Sequence, residues 1–436
     1  MRIAIFGLGY VGAVSAACFS AQGHRVIGVD KADIKVDLIM RGNSPVVERG
    51  VGEMMAAGRK DGTLSATVDA ASAVKESDAA LVCVGTPSLA NGDLDLGYLT
   101  KVCEEIGASL AERDGFYVVI IRSTVLAGTL RGLVIPTLEQ HSGKRAGQDF
   151  GVAFHPEFLR EGTAVHDFYN PPKIVVAATD PQSAKLAADL NEGLDAPLVE
   201  AEFEVAEMVK YADNAWHAVK VSFANEVGTI AKAHGVDGGK VMDIFCQDRK
   251  LNLSEKYLRP GFAFGGSCLP KDVRALTYRA RTKDLNLPLL NSIMPSNQSH
   301  VERALNMIME QDTRRVGVLG ISFKAGTDDL RESPVVELVE RLLGKGYDIR
   351  VFDRNVNLSR LVGANKAQIM QRLPHIANLM AESLWDVVDF SDTLVVGNND
   401  ESLSEAIGSM NSAKTVIDLV RLPGLDLGAR YHGICW

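Results

Sequence analysis

The chain has 436 residues, with 46 Lys and Arg against 55 Asp and Glu for a net charge of -9, 46% hydrophobic residues and 23% charged ones. At about 150 residues per domain that is room for two or three domains, each able to bury its own core, and it excludes a peptide hormone or a disulfide miniprotein. Nucleic-acid and membrane-surface partners are not expected, because an anionic ligand would need a local cluster of cations rather than a basic overall field.

The six cysteines (Cys18, Cys83, Cys103, Cys246, Cys268 and Cys435) form no CxxC pair. That spacing fits free thiols in a reducing, cytoplasmic setting, with no structural metal. Glycines 7, 9 and 12 interrupt the apolar N-terminal stretch, so it reads as something other than a signal peptide, and no run of 18 apolar residues offers a membrane span.

In chain order, residues 2–6 and 25–29 read as strands around a helix, the second ending at Asp30. Runs at 80–84 and 117–121 end in Gly85-Thr86-Pro87 and Arg122-Ser123-Thr124, as strands of a parallel sheet do. Ligands of such sheets sit beyond the carboxyl ends of the strands, where the glycines, Asp30, Thr86 and Thr124 would converge. From residue 201 the pattern becomes helical, at 202–234, 238–248, 270–281 and 287–311, with a kink expected at Pro295. Strand and helix then alternate again: strands at 316–319, 349–352, 393–396 and 415–417, and a helix at 334–343 opened by Ser333 and Pro334 and stopped by Gly344 or Gly346. The expected fold is α/β. Two Rossmann-like, doubly wound parallel-sheet domains, 1–200 and 313–436, are joined by a long-helix segment, 201–312.

Gly7, Gly9 and Gly12 have the GxGxxG spacing between a strand and a helix, where backbone N–H groups can cradle a pyrophosphate. Asp30, 18 residues after Gly12, can accept hydrogen bonds from a ribose diol and would repel a 2′-phosphate, favouring NAD over NADP. On the helix 202–234, Lys210, Asn214, His217, Val221 and Asn225 fall within a wedge of about 80°. Glu and Lys dominate a merely solvated face, so Asn and His here point to a ligand. Cys268 follows Gly265 and Gly266 in a flexible turn and precedes a helix starting near Pro270; the helix N-terminus and Lys271 both favour thiolate. The loop from Phe323 to Pro334 occupies a nucleotide-binding position in the second α/β domain, and its cations, Lys324 and Arg331, could meet phosphates; an exposed charged loop is the plain alternative.

These pieces together resemble the nucleotide-sugar 6-dehydrogenases, the family of UDP-glucose and GDP-mannose dehydrogenases. The likeness runs the whole chain: GLGYVG from Gly7, VGTP from Val84, STVLAGT from Ser123, PEFLREG from Pro156, the Lys210/Asn214 helix, GGSCLPKD from Gly265 and FKAGTDDLRESP from Phe323. The stretch from Lys250 to Ser254, Arg259 to Phe264 and the closing Gly433-Ile-Cys-Trp436 are most similar to members acting on GDP-mannose, the precursor route to alginate; spacing alone leaves UDP-glucose as the alternative. His155 stands where Asn or Ser is expected, which would alter the setting of Glu157.

The resemblance implies oxidation of a sugar C6 alcohol to a carboxylate with two NAD per product, Cys268 adding to the intermediate aldehyde. It implies that Lys210 and Asn214 stabilise the C6 oxygen, that Asp272 shares a water or proton relay with Lys210, and that Glu161 activates the hydrolytic water, supported by Glu157 and Thr124. It places Gly7, Gly9, Tyr10, Val11, Gly12, Asp30, Lys35, Thr86, Thr124, Lys271 and Arg331 against NAD. Glu161, Lys210, Asn214, His217, Asn225, Tyr257, Arg259, Phe262, Gly265 and Lys324 are placed against the nucleotide sugar. It also implies a homodimer or dimer of dimers through the central helices, with Arg259 reaching the partner. Two other readings were open: a hydroxyacid dehydrogenase performing one oxidation, which would not need Cys268, and a non-catalytic nucleotide sensor.

Overall fold

Short apolar segments such as Arg2–Phe6, buried from Ile3 onward, form strands covered on both faces, and they organise the molecule. The computed structural model describes residues 1–250, 257–324, 326–356, 369, 376–410, 414–424 and 428–436; residues 251–254 of the GDP-mannose-like stretch and Ala325 of the second loop lie outside these. The described chain divides into two compact units, Met1–Asp213 and Asn214–Trp436, the division falling inside the helix Phe203–Ala233.

The first unit is built on an eight-stranded sheet: β1 (Arg2–Phe6), β2 (Arg25–Val29), β3 (Leu64–Thr67), β4 (Ala79–Val82), β5 (Val118–Ile121), β6 (Gly151–Phe154), β7 (Ile174–Ala178) and β8 (Leu198–Glu200), in the order β3-β2-β1-β4-β5-β6-β7-β8. The expected parallel sheet extends from β3 to β6. Beyond it β7 pairs antiparallel with β6, and β8 runs parallel to β7, so the sheet is mixed at this edge. One apolar layer, with Val14, Phe19 and Phe168, covers one face, and another, with Leu99, Ile106 and Phe203, covers the other. The order reverses at β1, the switch point where open α/β sheets bind their ligands.

The second unit contains the helices Gly238–Phe245, Leu269–Arg281 and Pro288–Met309, the last running through Pro295. Its five-stranded sheet is parallel throughout: β9 (Arg315–Leu319), β10 (Asp348–Phe352), β11 (Thr393–Val396), β12 (Thr415–Asp418) and β13 (Tyr431–Gly433), ordered β10-β9-β11-β12-β13. Ser333 caps the helix Pro334–Gly344 as expected, accepting the Val336 N–H at 3.4 Å, with Pro334 in its first turn.

Candidate functional site

In the first unit the glycine loop has the form its spacing requires. Gly7 has φ +92°, a Cβ on Gly12 would lie 1.8 Å from the Gly7 carbonyl oxygen, and a Cβ on Gly9 would meet nothing within 4 Å. Two glycines are thus demanded by the turn itself, while the open space over Gly9 is what a pyrophosphate approaching the head of the helix Tyr10–Ala21 needs. Asp30 accepts the Leu8 N–H at 2.8 Å and the Ala32 N–H at 3.0 Å, and pairs with Lys35 at 2.9 Å. Burial pushes its carboxyl up, but Lys35 and the two N–H groups outweigh that and hold it below the usual carboxylate range. It stands ionised at the end of β2, suited to a ribose diol. Thr86 donates to the Thr124 carbonyl at 2.7 Å and Ser123 to the Val84 carbonyl at 2.7 Å, joining the loops after β4 and β5. Val11 packs against the core. The chain's own residues therefore fit a bound dinucleotide.

At the end of β6, Glu157 and Lys210 form an ion pair of 3.0 Å with side chains only 6% and 5% exposed. Burial opposes the charge on Glu157, but Lys210, the Leu159 N–H at 2.6 Å and Arg122 keep its carboxyl below the usual range. Lys210 and Asn214 sit one turn apart on a helix face that is buried rather than solvated at these positions, while His217 and Val221 farther along it are partly exposed.

His155 explains its own departure from the family pattern. Its Nδ1 lies 3.0 Å from the Val175 carbonyl oxygen and its Nε2 3.3 Å from Asn191 Oδ1, so the ring is fixed within β6 and β7 neighbours rather than aimed at a ligand. Burial, reinforced by the Arg122 charge, pushes its pKa down to about 3. Because protonation then favours the unfolded chain, its contribution to stability is complete above pH about 6.5 and is lost as pH falls toward 3, by about 1.4 kcal/mol per unit. Urea denaturation at pH 6.5 and pH 5 should show the native chain losing about 2 kcal/mol more than His155→Asn. Equal losses would mean that the imidazole is not held neutral.

In the second unit Cys268 is exposed, while the other five cysteines are buried. Cys268 is the residue before the helix Leu269–Arg281, which starts one position earlier than expected, with Pro270 still in its first turn. The preceding glycines are packing residues rather than a flexible turn. A Cβ on Gly265 would lie 2.3 Å from the Glu332 carbonyl oxygen, and one on Gly266, at φ +83°, would strike the Phe323 ring at 2.8 Å. Two successive glycines are what bring the cysteine loop against the loop after β9. Asp272, 2% exposed, accepts from Asn214 Nδ2 at 2.5 Å and pairs with Lys271 at 3.0 Å. Lys271 pairs with this carboxylate, and Cys268 stands at the helix N-terminus, where the field is positive.

The remaining expected site residues fall into smaller groups. His217 stacks on Tyr257 with ring centroids 4.4 Å apart, Tyr257 adopting φ 65°. Asn225 accepts the Gly261 N–H at 3.1 Å and donates to the Phe262 carbonyl at 3.2 Å, fixing the backbone of that segment. Arg259 is exposed and paired with Asp243. Arg331 is paired with Asp329 at 2.5 Å within its own loop, and the Lys324 carbonyl accepts from Ser322 and Thr327.

Several residues that shape these groups escape sequence reading. Glu207, 0% exposed, accepts the Gly128 and Leu130 N–H groups at 2.7 and 2.9 Å and so ties the STVLAGT loop to the long helix. Its only sequence signal is its place three residues before Lys210. Arg122 is 6% exposed beside Glu157 and His155, lining with them a cavity of about 20 Å³, the size of one water. Asp353, at the end of β10, accepts the Ile321 N–H at 2.9 Å and the Ser322 N–H at 3.1 Å, repeating in the second sheet what Asp30 does in the first.

A glycine-cradled dinucleotide loop, an ionised ribose acceptor and a buried Lys–Glu pair in the first unit define the class as a nicotinamide-dependent oxidoreductase. Comparison with known proteins narrows this. Residues 1–195 match the NAD binding domain of the UDP-glucose/GDP-mannose dehydrogenase family, residues 204–299 its central domain and residues 317–422 its UDP binding domain. GDP-mannose 6-dehydrogenase of Pseudomonas aeruginosa is 55% identical and that of Azotobacter vinelandii 51%, each aligned over 100% of both chains. UDP-glucose 6-dehydrogenase of Haloferax volcanii is 37% identical over 81% of this chain and 83% of the relative. Among solved structures, a ternary complex of the Pseudomonas aeruginosa GDP-mannose dehydrogenase is similar at TM-score 0.58 and 55% identity, covering 100% of both chains. A UDP-glucose dehydrogenase from Pyrobaculum islandicum is similar at TM-score 0.90 and 31% identity, covering 100% of this chain and 98% of the other. The chain belongs to the UDP-glucose/GDP-mannose dehydrogenase family, and its first domain is that family's NAD-binding domain.

Proposed function

We propose that this chain oxidises the C6 alcohol of GDP-mannose to the carboxylate of GDP-mannuronate, for alginate synthesis in the cytoplasm, through a covalent adduct on Cys268. The observation that carries the reading is Cys268 itself, exposed at the head of a helix while its five counterparts are buried. GDP-mannose is favoured over UDP-glucose because the full-length relatives of 51% to 55% identity carry the former name and those of 33% to 37% the latter. We assign three working segments, 1–200 for the dinucleotide, 201–312 for catalysis and dimerisation, and 313–436 for the nucleotide of the sugar.

NAD, when bound, accepts a hydride in each of two oxidations; Gly7, Gly9, Tyr10, Val11, Gly12, Asp30, Lys35, Thr86, Thr124, Lys271 and Arg331 hold it. Lys210 and Asn214 stabilise negative charge on the C6 oxygen as the alcohol is oxidised. The Cys268 thiolate then adds to the aldehyde carbon, giving a thiohemiacetal from which a second hydride can leave. The resulting thioester is hydrolysed by water whose proton passes to Glu161, with Glu157, Thr124 and Asp272 setting charge and proton positions around it. His217, Asn225, Tyr257, Arg259, Phe262, Gly265 and Lys324 hold the nucleotide sugar. The protein works as a homodimer: Trp216, Phe223, Ile244 and Phe245 expose 50%, 45%, 71% and 36% of their surface, and the Phe223 and Phe245 rings lie 5.8 Å apart.

The test is the yield of NADH from limiting GDP-mannose at saturating NAD, with limiting UDP-glucose in parallel and the charge of the product determined. Two equivalents from GDP-mannose and an added negative charge are expected. Two from UDP-glucose alone would keep the chemistry and replace the substrate, one would remove the cysteine adduct, and none from either would leave a binding protein.

A further inference from the structure

The loop that carries Glu161 is held at both ends. On one side Arg160 donates from its backbone N–H and Nε to Asp167, each at 2.9 Å, and from Nη2 at 2.5 Å. On the other, the Glu48 carboxylate, 8% exposed, accepts the Gly162 N–H at 2.7 Å and the Ala164 N–H at 3.1 Å. The Tyr10 hydroxyl donates to the same carboxylate, and its oxygen lies 3.0 Å from the Gly162 nitrogen. Tyr10 is the first residue of the helix that the glycine loop opens, and Gly162, at φ +81°, turns the chain directly after Glu161. None of the motifs that carry the family likeness contains Glu48, which lies 114 residues from Gly162 in the chain.

One buried carboxylate therefore ties the cofactor loop to the Glu161 loop. It can do so because it accepts from two backbone N–H groups and a phenol, a set that only an acceptor-only group satisfies; a charged acceptor makes such bonds short and strong. Burial, then the bond to Glu48 and its charge, and least the charge of Glu161 keep the Tyr10 phenol protonated and donating.

We propose that Glu48 is a positioning residue for the hydrolytic half of the reaction, setting Glu161 through Gly162 and Ala164 and linking it to the dinucleotide loop through Tyr10. This rests on the reading of Glu161 as the base. In the step concerned, the water oxygen bonds to the thioester carbon while Glu161 takes one proton. The C–S bond breaks with its electron pair on the sulfur of Cys268, and the carboxylic acid formed loses its remaining proton to solvent.

The experiment compares Glu48→Gln, Tyr10→Phe and Glu161→Gln with the native protein. Each is mixed with excess NAD and GDP-mannose, and NADH formation and the intact mass after quenching are followed. A glutamine at position 48 would turn an N–H₂ toward one of three donors, and Tyr10→Phe removes one donor without changing the packing. Both variants are expected to release NADH in a burst of two equivalents per site, then turn over roughly 10- to 100-fold more slowly, with a Cys268-linked sugar adduct in the mass spectrum and a KM for the sugar that falls with kcat, leaving kcat/KM nearly unchanged. A merely structural role would slow both hydride steps together and leave no adduct. If Glu161→Gln accumulates the adduct and the other two do not, the proposal is overturned while Glu161 stands. If Glu161→Gln accumulates none, the reading of Glu161 falls and the proposal with it. Should Glu48→Gln fail to fold, Glu48→Asp, which keeps the acceptor-only carboxylate but draws it back from the Gly162 and Ala164 N–H groups, carries the same comparison.

Discussion

Replacing Cys268 by serine should abolish net formation of the acid, by at least about a thousand-fold, while the fold and dinucleotide binding persist. The reason is chemical. Once the alcohol has given up its first hydride, the aldehyde carbon bears no oxygen able to push out a second until a nucleophile has added. A thiol is intrinsically far more nucleophilic than a hydroxyl, so a serine at the same exposed place would add to the aldehyde poorly. A thousand-fold loss is about 4 kcal/mol of transition-state stabilisation. The measurement is NADH per limiting GDP-mannose together with product charge: the variant should stop at the aldehyde stage, with at most one equivalent and no added charge. Acid formation at the native rate would remove the thioester route altogether.

The contrast between this cysteine and its neighbours shows which parts of the molecule can be read from the chain. The glycine loop was legible because its constraints are local: Gly7 needs a positive φ and Gly12 needs the space of its own turn, both consequences of residues five positions apart. Asp30 was legible for the same reason, since the end of a strand after a crossover helix fixes where its side chain falls. The helix caps at Ser333 and Pro334 likewise depend on a few adjacent residues.

What depends on register across a sheet was not legible. Glu157 and Lys210 could each be named as site residues, but their pairing at 3.0 Å is set by how β6 meets the long helix, 53 residues later in the chain. Glu48 and Glu207 hold backbone N–H groups 114 and 79 residues away, and no pattern near them announces it. The strands β3 and β8, of four and three residues, are too short to carry a period, and β8 is exposed throughout; β7 is an apolar run, but such a run does not say which way the strand pairs with β6. His155 was visible as a departure, yet its meaning lay in Val175, Asn191 and Arg122, which the fold alone brings to it.

The buried pair supplies the sharpest separation of fold from chemistry. Lys210→Met should lower the rate of sugar oxidation by about a thousand-fold, the loss of one charged donor at a developing oxyanion, and also destabilise the protein by about 3 kcal/mol. The second effect arises because Glu157, 6% exposed on its side chain, would be left ionised beside methionine. Burial pushes its carboxyl up, and the Lys210 charge is the largest influence opposing that push. The double variant Lys210→Met/Glu157→Gln removes the orphaned charge and should recover most of the lost stability, since replacing both members of a buried pair costs far less than removing one. Its rate should stay as low as that of the single variant. Urea denaturation and initial rates on the same three proteins distinguish the cases. A double variant that regained rate along with stability would make Lys210 a structural partner of Glu157 and move the oxyanion role to Asn214 alone.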